Sequence, residues 1–347
     1  MTFLRERLPR LIAVTAARDR VRVLMSFGDP SRARNPYTRL LAESLPLDEI
    51  SPSYFTWRHA FLGRYDMFHV HWPHSLAGPT KGGTGVRNAV LFITLLGWLA
   101  VRRRPIVWTV HNRTPHERLP WLSRVALRLF ESRVAFRILL LGREDGVEGV
   151  DWEKIPHGHY RDAYGLVLDQ PLPEIPRVLH FGLLRPYKNS DQLVEAFVGA
   201  RDAGAELLVA GKPVPPSYGV QLAEIAGEDP RVDLRLEFVP DEQVPELLAT
   251  STLVALPYAE MYNSGAALLA LSSNRPVLMP DCEATRELVD EFGDRWVLMF
   301  AAPLTPSDLE RAIALARTCD GDSVDMAARE WPLIGRRHAE VYRRLVR

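Results

Sequence analysis

Cysteine is almost absent from this sequence: 2 in 347 residues, Cys282 and Cys319. That excludes a disulfide framework and a cysteine-rich zinc site, and makes a reducing cytoplasm the simplest setting. Net charge is absent too, with 43 basic against 43 acidic residues, so no whole-chain field draws the protein to nucleic acid. No apolar run spans a bilayer: the longest, Ala89–Val101, falls short of the ~20 residues a crossing helix needs. The opening MTFLRERLPRLIAVTAARDR lacks a continuous apolar core and a small-residue cleavage site, so no signal peptide is expected. It reads as a short amphipathic helix interrupted near Pro9. There is no internal repeat and no low-complexity tract. What remains is an ordinary globular composition, 47% hydrophobic and 25% charged, in a chain long enough for two domains.

The most informative stretch is Leu256–Pro280, LPYAEMYNSGAALLALSSNRPVLMP, together with the apolar run just before it. Leu253–Leu256 predicts a buried strand and Ala266–Ser272 a helix; Arg275-Pro276 breaks the helix and Val277–Met279 resumes as a strand. This βαβ unit places Ser264 and Gly265 at a helix N-terminus, where unpaired amides and a positive dipole suit a phosphate. An ordinary capped helix would look the same. The second informative stretch, HFGLLRPYKN, follows a strand at Arg177-Val178-Leu179 and precedes an amphipathic helix over Leu193–Ala200. It sets Arg185 and Lys188 on one strand-to-helix loop, a pairing suited to a diphosphate.

FGLLRPYKN, LLVAGKP, VPDEQVPELLATSTLVALPY and NSGAALLALSSNRPV, in this order and spacing, resemble the nucleotide-binding half of GT-B glycosyltransferases. The resemblance implies an α/β fold of two Rossmann-like domains facing a central cleft. Residues 1–170 would bind the acceptor and 171–347 the nucleotide sugar, with Trp331–Leu345 as a terminal helix crossing back onto the first domain. It implies donor contacts from Gly182, Arg185, Lys188, Lys212, Tyr262, Asn263, Ser264 and Gly265, and places Glu287 near the nucleotide. The donor would be a GDP- or UDP-linked sugar and the acceptor lipid-linked or an oligosaccharide, with no cofactor.

Taken in order, Val21–Ser26, Met67–Val70 and Pro105–Val110 predict strands, and Thr38–Ser44 and Trp121–Phe136 helices, with Arg137–Leu141 a further strand. Asn35 and Tyr37 follow the first strand and are acceptor-site candidates, though they read equally well as turn formers and a helix cap. The run His69-Val70-His71-Trp72-Pro73-His74 puts imidazoles and Trp72 where open α/β sheets bind ligands. A metal site there lacks an accompanying carboxylate or cysteine. His111 ends the next strand, with Glu117 nearby. Lys154–Tyr160 predicts a turn closing the last strand of the first domain, and Leu166–Pro176 the linker. In the second half, Ala205–Ala210 and Val232–Phe238 predict strands, and Gln221–Gly227, Glu242–Ala249 and Ala284–Asp290 helices. Ala89–Val101, with Arg87 before it and Arg102–Arg104 after it, reads either as a helix buried on a sheet or as one resting, with Trp98, on an anionic membrane.

In one respect the chain leaves the pattern. Many retaining GT-B enzymes carry a pair of glutamates around the phosphate helix, and aligning Pro276-Val277 with their Pro-Val puts Met261 and Leu269 there. Glu260 is one residue from the first position. An inverting enzyme needs instead one base beside the acceptor hydroxyl, and His111, His74 and Glu117 are the candidates. HVHWP, IPHGHY and FGLLRPYKN look most like inverting exopolysaccharide mannosyltransferases that use polyprenyl-linked sugars. A retaining enzyme and a catalytically silent GT-B subunit stay open as alternatives.

Overall fold

The computed structural model describes residues 20–32, 35–78, 85–111, 119–142, 150–200, 204–259 and 264–346. The first part of the chain forms β1 (Val21–Met25), α1 (Pro36–Ser44), β2 (Ile50–Tyr54), α2 (Trp57–Leu62), β3 (Met67–Val70) and α3 (Pro73–Ala77). It continues with α4 (Val86–Val101), β4 (Ile106–Val110), α5 (Trp121–Glu131), β5 (Val134–Leu139), β6 (Asp151–Lys154) and α6 (Arg161–Tyr164). The second part forms β7 (Arg177–Phe181), α7 (Ser190–Gly199), β8 (Glu206–Ala210), α8 (Pro216–Ala226), β9 (Val232–Arg235) and α9 (Val244–Ala249). Then come β10 (Leu253–Ala255), α10 (Gly265–Ser272), β11 (Val277–Pro280), α11 (Glu283–Phe292), β12 (Val297–Phe300), α12 (Pro306–Ala316) and α13 (Trp331–Val346).

The strands make two parallel sheets of six, ordered β2-β1-β3-β4-β5-β6 and β12-β11-β10-β7-β8-β9. Their apolar runs are buried on both faces, as helix-covered parallel sheets require. In each sheet the winding reverses once, between β1 and β3 and between β7 and β10. The crevice beyond the strand ends at such a reversal is where open α/β sheets bind ligands.

The terminal helix behaves as the GT-B pattern implies. Ile334, Val341 and Tyr342 of α13 join the core of the first sheet with Tyr37, Leu41 and Val23. Gly335 makes this approach possible: a Cβ there would lie 1.9 Å from the backbone oxygen of Ser44 in α1. Further ties cross between the halves. Trp331 Nε1 donates to the His159 carbonyl at 2.7 Å, and Arg329 forks onto Glu291 while donating to the His157 carbonyl at 2.9 Å.

Several boundaries differ from the sequence reading. The helix expected over Trp121–Phe136 stops at Glu131, and β5 starts at Val134 because Val134, Phe136 and Ile138 pair into the sheet beside β4. The strand expected over Val232–Phe238 ends at Arg235, and α8 begins at Pro216, ahead of Gln221. β2 and α2 were not anticipated; β2 is an edge strand that carries Pro52, which only an edge tolerates.

Candidate active site

Both sheet reversals carry candidate residues. At the first, the chain leaving β3 is held by Ser26, whose hydroxyl accepts the His71 amide at 2.9 Å while the Ser26 amide donates to the His69 carbonyl. His71 Nδ1 then lies 3.2 Å from His111 Nε2, beyond β4, so one imidazole donates its N–H to the other. Trp72 stacks on His111 with centroids 4.3 Å apart, and buried Tyr37 sets its ring edge against the same imidazole at 4.9 Å. Burial, with His157 and His74 adding like charge, holds the His111 pKa well below the ordinary histidine value. His71 is lowered in the same way, by burial and then by His69 and His111. Both are therefore neutral at pH 7, the form that takes a proton from a hydroxyl.

His69, by contrast, is structural: its Nδ1 meets the Tyr342 hydroxyl at 2.7 Å and its Nε2 the Thr109 hydroxyl at 2.8 Å, in full burial. Among the described residues no group of three His, Cys, Asp or Glu side chains is arranged to hold a metal ion.

At the second reversal two loops lie side by side. Asn189, with φ 52°, donates from Nδ2 to the Pro257 carbonyl at 2.9 Å, and the Ala259 amide donates to the Tyr187 carbonyl at 2.9 Å. Gly182 has φ +99°, open only to glycine, and its missing Cβ would sit 3.6 Å from Lys188 Nζ. Lys188 lies over the Tyr258 ring at 5.1 Å, and burial, followed by repulsion from Arg185, lowers its pKa to about 8. Beneath the loop, His180 Nδ1 donates to the Ala255 carbonyl at 2.8 Å, so its Nε2 accepts from the Ser190 hydroxyl at 2.9 Å. That pins the start of α7 against β10. Ser264 caps α10, its Oγ accepting the Ala267 amide at 3.1 Å, and leaves the first helical amides without partners inside the helix.

A chain of rings joins the two reversals. His157 packs on Tyr37 at 4.7 Å, its Nε2 meets the Tyr160 hydroxyl at 3.1 Å, and that hydroxyl lies 3.4 Å from the place a Gly265 Cβ would take. The imidazole pair and the start of α10 are therefore linked by packed rings.

Residues 175–317 match the family model described as glycosyl transferases group 1. Over 332 residues, 94% of this chain and 93% of the relative, the sequence is 35% identical to GDP-mannose:glycolipid 4-beta-D-mannosyltransferase of Xanthomonas campestris pv. campestris. The chain belongs to the GT-B glycosyltransferases. Solved structures agree on the fold. Sucrose-phosphate synthase (tll1590) from Thermosynechococcus elongatus superposes with a TM-score of 0.67 at 16% identity, covering 94% of this chain and 99% of that one. Anabaena Alr3699/HepE, solved with UDP, gives 0.58 at 17% identity, covering 94% and 100%.

A glycosyltransferase that uses a nucleotide sugar needs a hold on the donor and a surface for the acceptor. The structure groups His111, Trp72 and Tyr37 at the first reversal, and Gly182, Lys188, Ser264 and Gly265 at or beside the second, with Arg185 just ahead of the turn that carries Lys188. His74 sits in the first turn of α3, on a helix instead of a strand end. Asn35 is committed to capping α1, its Oδ1 accepting the Tyr37 amide at 3.1 Å. Lys212 is exposed, its carbonyl accepting the Leu184 amide at 3.0 Å. Glu287 reaches across to the other half, accepting from Lys154 Nζ and the Gly142 amide. There it lines a cavity of about 720 Å³ whose lining includes neither Arg185, Lys188 nor Ser264. Glu117, Tyr262 and Asn263, like Glu260 and Met261, lie outside the described residues. Leu269 is buried in the core of the second sheet. From the sequence, His71 stands out only as one of the imidazoles at a ligand-binding strand end and His157 only as part of a turn; IPHGHY, with two imidazoles and a phenol beside a strand end, was the available signal for His157.

Proposed function

We propose that this enzyme transfers mannose from GDP-mannose to a glycolipid, inverting the anomeric configuration. The observation that carries the proposal is the 35% identity over 94% of the chain to an enzyme named for that donor, that acceptor class and a β product. A β-mannoside formed from an α-linked nucleotide sugar requires one displacement at C1. The missing glutamate at Leu269 supports the same reading, since no carboxylate stands there to hold the donor as in the retaining pattern.

In this mechanism the acceptor hydroxyl lies against His111 and attacks C1 from the face opposite the diphosphate. Its proton passes to the neutral imidazole while the bond from C1 to the phosphate oxygen breaks, and its electron pair leaves with GDP. His71 holds the His111 ring through their shared N–H. Arg185, Lys188 and the first amides of α10 take up the charge of the leaving diphosphate, a role the protein fills without a metal. Asn35 contributes by fixing Tyr37, not by meeting the acceptor. The test is incubation of purified enzyme with GDP-mannose or UDP-glucose and a lipid extract, with and without EDTA. GDP-mannose-dependent, EDTA-insensitive labelling of a glycolipid is the expected result; labelling from UDP-glucose alone overturns the donor assignment.

A further inference from the structure

A nucleotide sugar brings hydroxyls to the site as well as a diphosphate, and each hydroxyl hydrogen needs an acceptor. The segment IPHGHY holds one that the mechanism does not use. Tyr160 lies along α10. Its amide donates to Ser272 Oγ at 3.0 Å near the helix end, and its hydroxyl reaches the helix start, 3.4 Å from the place a Gly265 Cβ would take. The side chain is only 7% exposed and packs in the core of the second sheet, whereas Gly265 is exposed. The phenol oxygen is thus fixed in the wall of an open surface.

The one proton of this phenol is already placed. His157 Nδ1 donates to the Gly158 carbonyl at 2.6 Å, so His157 Nε2 carries a lone pair. Tyr160 Oη lies 3.1 Å from that nitrogen and donates to it. Burial holds both groups in this form, lowering the His157 pKa to about 4 and raising that of the phenol. Toward Gly265 the oxygen therefore presents lone pairs, which repel a phosphate oxygen and accept from a hydroxyl. Its neighbours offer the opposite: Arg185 and Lys188 are cations, and the first amides of α10 donate. Leu269 stands where the retaining pattern has a glutamate, and the Glu287 carboxylate is spent on Lys154 and Gly142.

We propose that Tyr160 Oη accepts a hydroxyl hydrogen of the transferred sugar, and that the enzyme selects its donor's sugar through this bond. The role rests on the diphosphate lying at the start of α10, as in the mechanism above, and adds the contact that recognises the sugar. His157 acts through Tyr160: by taking the phenol proton it turns the hydroxyl into an acceptor. A sugar lacking that hydroxyl leaves Oη facing nothing, which is how a buried polar group discriminates between near-identical substrates.

Calorimetry without acceptor tests it, using GDP, GDP-mannose and the GDP-mannose analogues that each lack one sugar hydroxyl. Tyr160→Phe removes the oxygen and leaves the ring. It should keep the GDP affinity of the wild type while GDP-mannose affinity falls about three- to tenfold, the range of one neutral hydrogen bond. One deoxy analogue should bind the wild type more weakly than GDP-mannose by a like factor, yet bind Tyr160→Phe as GDP-mannose does. Gly265→Ala is the second arm: its methyl lies against Oη, so it should weaken GDP-mannose by more than it weakens GDP. Equal loss of GDP and GDP-mannose in Tyr160→Phe makes the residue structural or a phosphate contact and overturns the proposal. So does unchanged GDP-mannose affinity, or a wild type indifferent to every deoxy analogue. A wild type that binds UDP in place of GDP refutes the donor base alone, and the same comparison with UDP and UDP-glucose then decides the role of Tyr160.

Discussion

With the leaving diphosphate held at Lys188 as proposed, nucleotide binding should depend on pH in a direction that the surroundings of Lys188 fix. Its ammonium is pushed down to about 8 by burial and by Arg185. A bound diphosphate supplies the opposite charge that this site lacks, so the pKa rises in the complex and binding takes up a proton above pH 8. The sign follows: affinity is full below the free-enzyme pKa and falls as pH rises through it. With the free pKa near 8, the ammonium fraction drops from about 90% at pH 7 to about 10% at pH 9, so the dissociation constant for GDP rises about tenfold between them. Titration calorimetry at both pH values, in buffers of different ionisation enthalpy, measures the affinity and the proton uptake together. Lys188→Arg keeps the charge and should flatten the profile, whereas Lys188→Ala should bind weakly at both values, by about ten- to a hundredfold at pH 7. A wild-type GDP affinity that is the same at pH 7 and pH 9, with no proton uptake, refutes the placement of the diphosphate at Lys188.

Three further outcomes are expected. His111→Ala should lower turnover by about 10²–10⁴ with GDP affinity little changed; because burial keeps this imidazole neutral, the acid limb of the wild-type pH–rate profile should fall below the ordinary histidine range. Gly335→Ala forces a Cβ against the Ser44 carbonyl and should cost about 3 kcal/mol, seen as a melting temperature lower by several degrees. Glu287→Gln should leave GDP affinity within about twofold, since the carboxylate is spent on Lys154 and Gly142; a tenfold loss, about 1.4 kcal/mol, would return it to the nucleotide site.

The α10 unit was legible because each piece has a local cause: an apolar β10, Ser264 as a cap, and Arg275-Pro276 ending the helix. The α5–β5 boundary was not, because neither Gly nor Pro marks it and the first strand residue, Val134, is set by its pairing with Ile106 of β4. The same division holds in the site. His111 and Trp72 stand just beyond strand ends and Tyr37 at the start of α1, so all three could be read locally. The bond from His71 to His111 spans 40 residues, and it exists because β3 and β4 are neighbours in the sheet. His157 reaches Tyr37 only because the chain beyond β6 passes under α13, where Trp331 packs on both rings. The contacts of Glu287 were out of local reach for a related reason: its partners, Lys154 and Gly142, belong to the other half of the molecule.

The most direct test of the account is the anomeric configuration of the product. The enzyme is given α-linked GDP-mannose labelled with ¹³C at C1 and its glycolipid acceptor, and the one-bond carbon–hydrogen coupling at C1 is read by NMR. A single displacement assisted by His111, with the diphosphate leaving toward Lys188, predicts a β-mannoside. An α-mannoside would contradict it and would place Glu260, one residue from the retaining position, at the centre of the chemistry.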